Sequence, residues 1–118
     1  MGKIKFKAKI DSTDEKYIVE GKGIYRDNKI IYQERNLSVT IWLFDNKIEM
    51  MRSCNDYKIN LVFEKDVITQ STYQIFGGQK VFYLETKTQK LIISDNRIEI
   101  DYILEDNVFS YILEMEKI

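Results

Sequence analysis

The 118-residue chain has no histidine, no proline, five glycines and a single cysteine, Cys54. Without histidine the commonest general base and the commonest transition-metal ligand are missing. Ser–His–Asp, Cys–His and zinc-hydrolase chemistries are excluded with them. One cysteine permits no intrachain disulfide. No stretch approaches the ~18 apolar residues of a membrane-spanning helix. The opening MGKIKFKAKIDS alternates charged and apolar residues and offers no apolar signal-peptide block. Phe6 stands where a myristoylation motif after Gly2 needs Ser or Thr. The expected location is the cytoplasm, with no metal and no cofactor. The missing prolines also leave every apolar run free to occupy a sheet interior.

What is present is a β pattern. Ile4, Phe6, Ala8 and Ile10 alternate with Lys3, Lys5, Lys7 and Lys9. Ile98, Ile100, Tyr102 and Leu104 oppose Glu99, Asp101 and Glu105. Phe109, Tyr111, Leu113 and Met115 oppose Ser110, Glu114 and Glu116. Period two marks strands with one buried face. SVTIWLF and INLVF are apolar on both faces and should be the most covered, with Trp42 in the core. Asp-Asn pairs punctuate the runs at 27–28, 45–46, 95–96 and 106–107. Asn55-Asp56, Lys65-Asp66 and Gly77-Gly78 add breaks of like character. Asp and Asn suit tight primed turns, and the spacing is that of an antiparallel meander. The Ser-x-x-Glu of Ser12 and Glu15 matches a capping box, but no 3.6-residue period follows, so it reads as a loop.

Nine or ten strands in one domain, residues 1–118, would leave two long edges open to aggregation. The predicted fold is therefore all-β, a closed or nearly closed antiparallel barrel of about 8–10 strands. Closure sets the first strand beside the last, so its outward lysines face Glu114 and Glu116. That pairing explains why residues 1–59 carry 12 basic and 9 acidic groups and residues 60–118 carry 6 and 10. With a net charge of −1 and no aromatic residue within the lysine stripe, a nucleic-acid partner is not expected.

Tyr32-x-Glu34, then VTIWL, then MMRS with Arg52, then a strand ending at Phe63, resembles the YwiB-like family of small bacterial proteins, a domain of unknown function. The later signature, Tyr73, Gly78, Thr86 and Tyr102, fits as well. Ile75 replaces a usual Thr, Phe-Gly replaces Pro-Tyr before Gly78, and Cys54 stands where glycine is common. The resemblance implies a calycin-like barrel, the architecture of lipocalins, and no established activity. The aromatic hairpin of residues 72–86 would then be one wall of the barrel.

Six residues are candidates for a ligand site: Tyr32, Glu34, Arg52, Tyr73, Thr86 and Tyr102. Glu34 shares a face with Ile30 and Tyr32, and Arg52 with Ile48 and Met50; if those faces point inward, both charges lie inside the barrel. A buried charge must be paired. The bland reading is a structural ion pair; the functional one is an arginine that receives an anionic head group among tyrosines. Tyr32, Tyr73, Tyr83 and Tyr102 either line a pocket or fill the barrel. Thr86, like Thr72 and Thr88, reads as a β-former before it reads as a catalyst. The first functional expectation is a non-enzymatic binder of a small apolar, amphipathic or anionic ligand. The second is a filled barrel serving as a protein-interaction or structural module. An enzyme using Glu34 or a tyrosine ranks last.

Overall fold

Alternating β-branched, aromatic and charged residues produce ten strands in a computed structural model that describes residues 2–77 and 80–118. They are β1 (Lys3–Ser12), β2 (Lys16–Arg26), β3 (Lys29–Glu34), β4 (Leu37–Leu43), β5 (Lys47–Ser53), β6 (Tyr57–Glu64), β7 (Ile68–Ile75), β8 (Lys80–Ile93), β9 (Arg97–Leu104) and β10 (Asn107–Lys117). Each is antiparallel to its sequence neighbour, and β1 pairs with β10 to close the barrel. The closing register sets Lys5 opposite Glu116 and Lys7 opposite Glu114, the expected facing of lysines and glutamates. No helix is long and apolar enough to cross a membrane among the described residues.

The connections are short for identifiable reasons. Asp27 and Asn28 both adopt positive φ, 52° and 64°, the primed turn that matches strand twist. The Asp45-Asn46 and Asp95-Asn96 breaks use another loop, closed by Phe44 N–H to Lys47 O at 2.9 Å and Ser94 N–H to Arg97 O at 2.9 Å. The same geometry recurs where Cys54 N–H reaches Tyr57 O at 3.0 Å. Ser12 and Glu15 form no helix start. Glu15 N–H donates to Ser12 Oγ at 3.1 Å inside the β1–β2 loop. Of the Gly77-Gly78 break, Gly77 adopts φ 92°, whereas Gly78 lies outside the described residues.

The interior is packed over most of its length. Ile30, Ile41, Ile48, Phe63, Ile98 and Leu113 are fully shielded, and the Phe6 ring lies 4.2 Å from that of Tyr32. Trp42 departs from expectation. Its strand parity points it outward, where it is half-buried beneath the Lys29 amine at 5.9 Å. The aromatic hairpin is also only partly a wall. β8 pairs with β9 from Thr86 onward, so the tip projects beyond the end of β9, with Phe76, Phe82 and Tyr83 exposed.

Two seams deviate from a regular ladder. Between β6 and β7 the ladder covers only Tyr57 to Asn60. Beyond it, side chains replace backbone: Val62 N–H donates to Ser71 Oγ at 3.0 Å, and the Thr69 hydroxyl donates to Val62 O. Between β2 and β3 only Ile24, Tyr25 and Arg26 are paired, and the strands then diverge. Gly23 permits that crossing: a Cβ there would meet Ile31 O at 2.6 Å and Tyr32 Cβ at 3.1 Å. Gly23→Ala is therefore expected to push β3 from β2 and to destabilise the fold by roughly 1–3 kcal/mol, the usual cost of overpacking. Urea unfolding measures this, and an unchanged midpoint would refute it.

Candidate functional site

The divergence of β2 from β3 opens one end of the barrel. A cavity of about 430 Å³ lies there, floored by Met50, Tyr102 and Tyr111 and rimmed by Glu15, Arg35 and Phe109. Inward parity delivers side chains from several strands to its lining: Tyr17 from β2, Glu34 from β3, Arg52 from β5, Tyr102 from β9 and Tyr111 from β10, with Tyr32 of β3 hydrogen-bonded to Glu34 and Tyr111 behind them.

Glu34 is the hub and is only 2% exposed. Arg52 grips it with both terminal nitrogens: Nη2 to Oε1 at 2.6 Å and Nη1 to Oε2 at 3.1 Å. The Tyr17 hydroxyl donates to Oε1 at 3.2 Å, and the Tyr32 hydroxyl donates to Oε2 at 2.7 Å. Four donors thus fill the four acceptor positions of the carboxylate. Since Tyr32 commits its only proton to Glu34, Tyr111 is the donor in the 2.7 Å bond between the two phenols. Arg52 Nη2 also donates to Tyr17 Oη at 3.1 Å, and the Arg35 guanidinium lies 4.9 Å from the centre of the Tyr17 ring. Tyr17 therefore spans the gap that backbone pairing leaves open.

Burial sets the acid–base properties of the cluster. It holds the phenols of Tyr17, Tyr32 and Tyr111 above the usual tyrosine range and pushes Tyr102 up to about 12. Burial works against the Arg52 charge, but its hydrogen bonds and attraction to Glu34 outweigh this and hold the guanidinium above its ordinary value. Arg52 uses three of its five N–H groups on Glu34 and Tyr17, and the other two have no partner among the described residues. Tyr102 Oη likewise makes no hydrogen bond among the described residues, and its ring stacks on Phe109 at 5.1 Å.

Three of the six candidate residues line the cavity, Glu34, Arg52 and Tyr102, and Tyr32 joins them through its bond to Glu34. The other two take no part in this cluster. Tyr73 lies behind the rim, stacked on Tyr57 at 5.6 Å. Thr86 is fully buried in the β6–β7–β8 seam, its hydroxyl 2.7 Å from that of Ser71. Tyr83 points away from the barrel and is 64% exposed. The sequence reading missed Tyr17 and Tyr111 as site residues. Tyr111 was signalled by its place in the last alternating strand, since a buried phenol needs a partner. Tyr17 gave no such signal, because β2 carries Gly21 and Gly23 where its inward apolar residues would stand.

Residues 3–113 match the family model described as Domain of unknown function (DUF1934). Among solved structures, the ywiB protein from Bacillus subtilis superposes with a TM-score of 0.71 at 18% identity, over 98% of this chain and 92% of that one. That likeness establishes the barrel. No curated protein matches.

Two outcomes follow from the cluster. Arg52→Met leaves Glu34 buried and unpaired, so it should cost about 3–5 kcal/mol in urea unfolding. Adding Glu34→Gln should recover part of that loss; a double variant no more stable than the single one contradicts the pairing. The second outcome concerns alkaline pH. The unfolded chain releases phenol protons near pH 10, whereas the folded cluster retains them. The unfolded state then binds fewer protons, so stability falls as pH rises above about 10, and for Tyr102 continues to fall to about 12. Tyrosinate absorbance and circular dichroism followed together should show these phenols ionising with unfolding. Full ionisation of all eight tyrosines while the fold persists would contradict it.

Proposed function

Because the chain belongs to the DUF1934 family, whose description assigns no activity, we propose a function from the cavity itself: non-enzymatic binding, in the cytoplasm, of a small uncharged amphipathic molecule. The observation that carries this reading is Arg52. Its two unpartnered N–H groups belong to a side chain that lines the cavity, while its charge is matched by Glu34. A carbonyl, amide or ether oxygen satisfies those donors. An anion would place a second negative charge beside a buried carboxylate, which favours the apolar or amphipathic ligand over the anionic one. Leu37, Met50, Ile59 and Phe109 offer an apolar wall, and the Tyr102 hydroxyl offers a second polar contact. The volume lies within the range of small-molecule sites. A calycin-like container fits this use of a barrel mouth.

The cluster suits positioning better than catalysis. The acceptor positions of Glu34 are already filled, so it takes no proton from a substrate without breaking a bond. The phenols are held in their neutral form. A second reading, a filled barrel acting as an interaction or structural module, is favoured by the dense packing below the cavity.

Native mass spectrometry of gently purified protein tests the proposal against its denatured mass. The expected result is an added mass that denaturation releases and that Ile59→Trp, which fills the cavity, abolishes. A bare-chain mass in both proteins, with no shift of cavity resonances when small neutral amides are titrated, leaves the filled-barrel reading in place.

A further inference from the structure

The hairpin of β7 and β8 ends in an unsatisfied sheet edge. β9 stops at Leu104, and Glu105 turns the chain away at φ 54°. Glu105 N–H donates to Glu85 O at 2.9 Å, and the Glu105 carboxylate accepts Glu85 N–H at 2.7 Å. These bonds show that the backbone groups of Glu85 face away from β7. The β7–β8 register is unbroken from Ile68–Lys87 to Ile75–Lys80. Alternation therefore directs the N–H and C=O of Val81 and Tyr83 the same way as those of Glu85. Among the described residues nothing pairs with them. The flanking side chains are apolar and exposed: Val81 by 42%, Phe82 by 40% and Tyr83 by 64%. Lys80 guards the start of this edge, but residues 81–84, Val-Phe-Tyr-Leu, carry no proline, no bulge and no charge.

We propose that this edge pairs with the same edge of a second copy of the chain, antiparallel and centred on Phe82. The free groups are self-complementary about this centre. With a two-fold axis beside Phe82, Val81 of each copy lies opposite Tyr83 of the other. Each such couple exchanges two hydrogen bonds, so all four free groups on each strand are satisfied. One face of the joint then sets Phe82 against its equivalent, and the other sets Val81 against Tyr83 twice, so no charge is buried. A further feature supports the centre at Phe82. Tyr57 stacks on Tyr73 at 5.6 Å, and Tyr73 meets Phe82 edge-on at 6.2 Å. This aromatic row crosses three strands and stops at the free edge. Pairing continues it into the second copy. The inference is independent of the ligand reading, since none of these edge residues lines the cavity.

Sedimentation velocity of the full chain, from low micromolar to near-millimolar concentration, tests it. The expected result is a concentration-dependent dimer. Val81→Pro deletes only an outward N–H and leaves the bonds to β7 intact. It should weaken the dimer at least about tenfold, because symmetry removes two hydrogen bonds. Tyr83→Lys, on an exposed outward side chain, should do the same and carries the test if the proline variant unfolds. Ile18→Lys, an exposed apolar site on β2, should leave the dimer unchanged. A wild-type chain that stays monomeric throughout overturns the proposal. So does a dimer that persists in both edge variants.

Discussion

A carboxylate buried in a small barrel must be supplied with donors, and Glu34 obtains four from three side chains on three strands. Arg52 crosses from β5, Tyr17 from β2, and Tyr32 stands two residues earlier on β3. Tyr111 extends the chain to β10. Removing any donor exposes a desolvation cost that the others cannot cover, so the cluster behaves as one unit. Its geometry also shapes the cavity, because Arg52 and Tyr17, which satisfy Glu34, line it as well. Stability and binding surface at this end of the barrel therefore rest on the same atoms.

Elsewhere the barrel uses side-chain oxygens to mend gaps in its own ladder. Ser71 and Thr69 reach Val62 where β6 leaves β7, and Thr86 steadies Ser71 from the other side. Tyr17 performs the equivalent repair between β2 and β3. The two repairs differ in outcome. Short hydroxyl side chains bridge the first seam at Val62. The long phenol bridges the second at a distance and leaves space beside it, which is the cavity.

The architecture was legible in the sequence because period two reports a one-sided strand directly, and because so many strands could not leave two long edges open; closure then accounted for lysines and glutamates at opposite ends of the chain. The pairing of Glu34 with Arg52 was legible for a related reason: inward parity placed both charges where neither is tolerated alone. Other features were not. Tyr73 and Thr86 have the residue types of a site, but whether an inward side chain reaches a cavity depends on how far along the barrel it sits, and strand register sets that height. Trp42 was misplaced because its strand is apolar on both faces, so alternation gave no direction. Tyr17 was hidden by the glycines of β2, which serve the close crossing at Gly23 and erase the pattern that would have marked it.

The order of the strands has a kinetic meaning as well. Nine of the ten pairings join consecutive strands, and only β1 with β10 joins distant ones. Hairpins of neighbouring strands form with small loop-closure costs, whereas the last pairing must bring the two ends of the chain together. Before that closure, Tyr111 lies on the opposite edge of an open sheet from Tyr17, and Tyr32 has no phenol beside it. The donors to Glu34 sit on β2, β3 and β5 and need no closure, but the floor that Tyr102 and Tyr111 give the cavity is added only by the event that completes the fold.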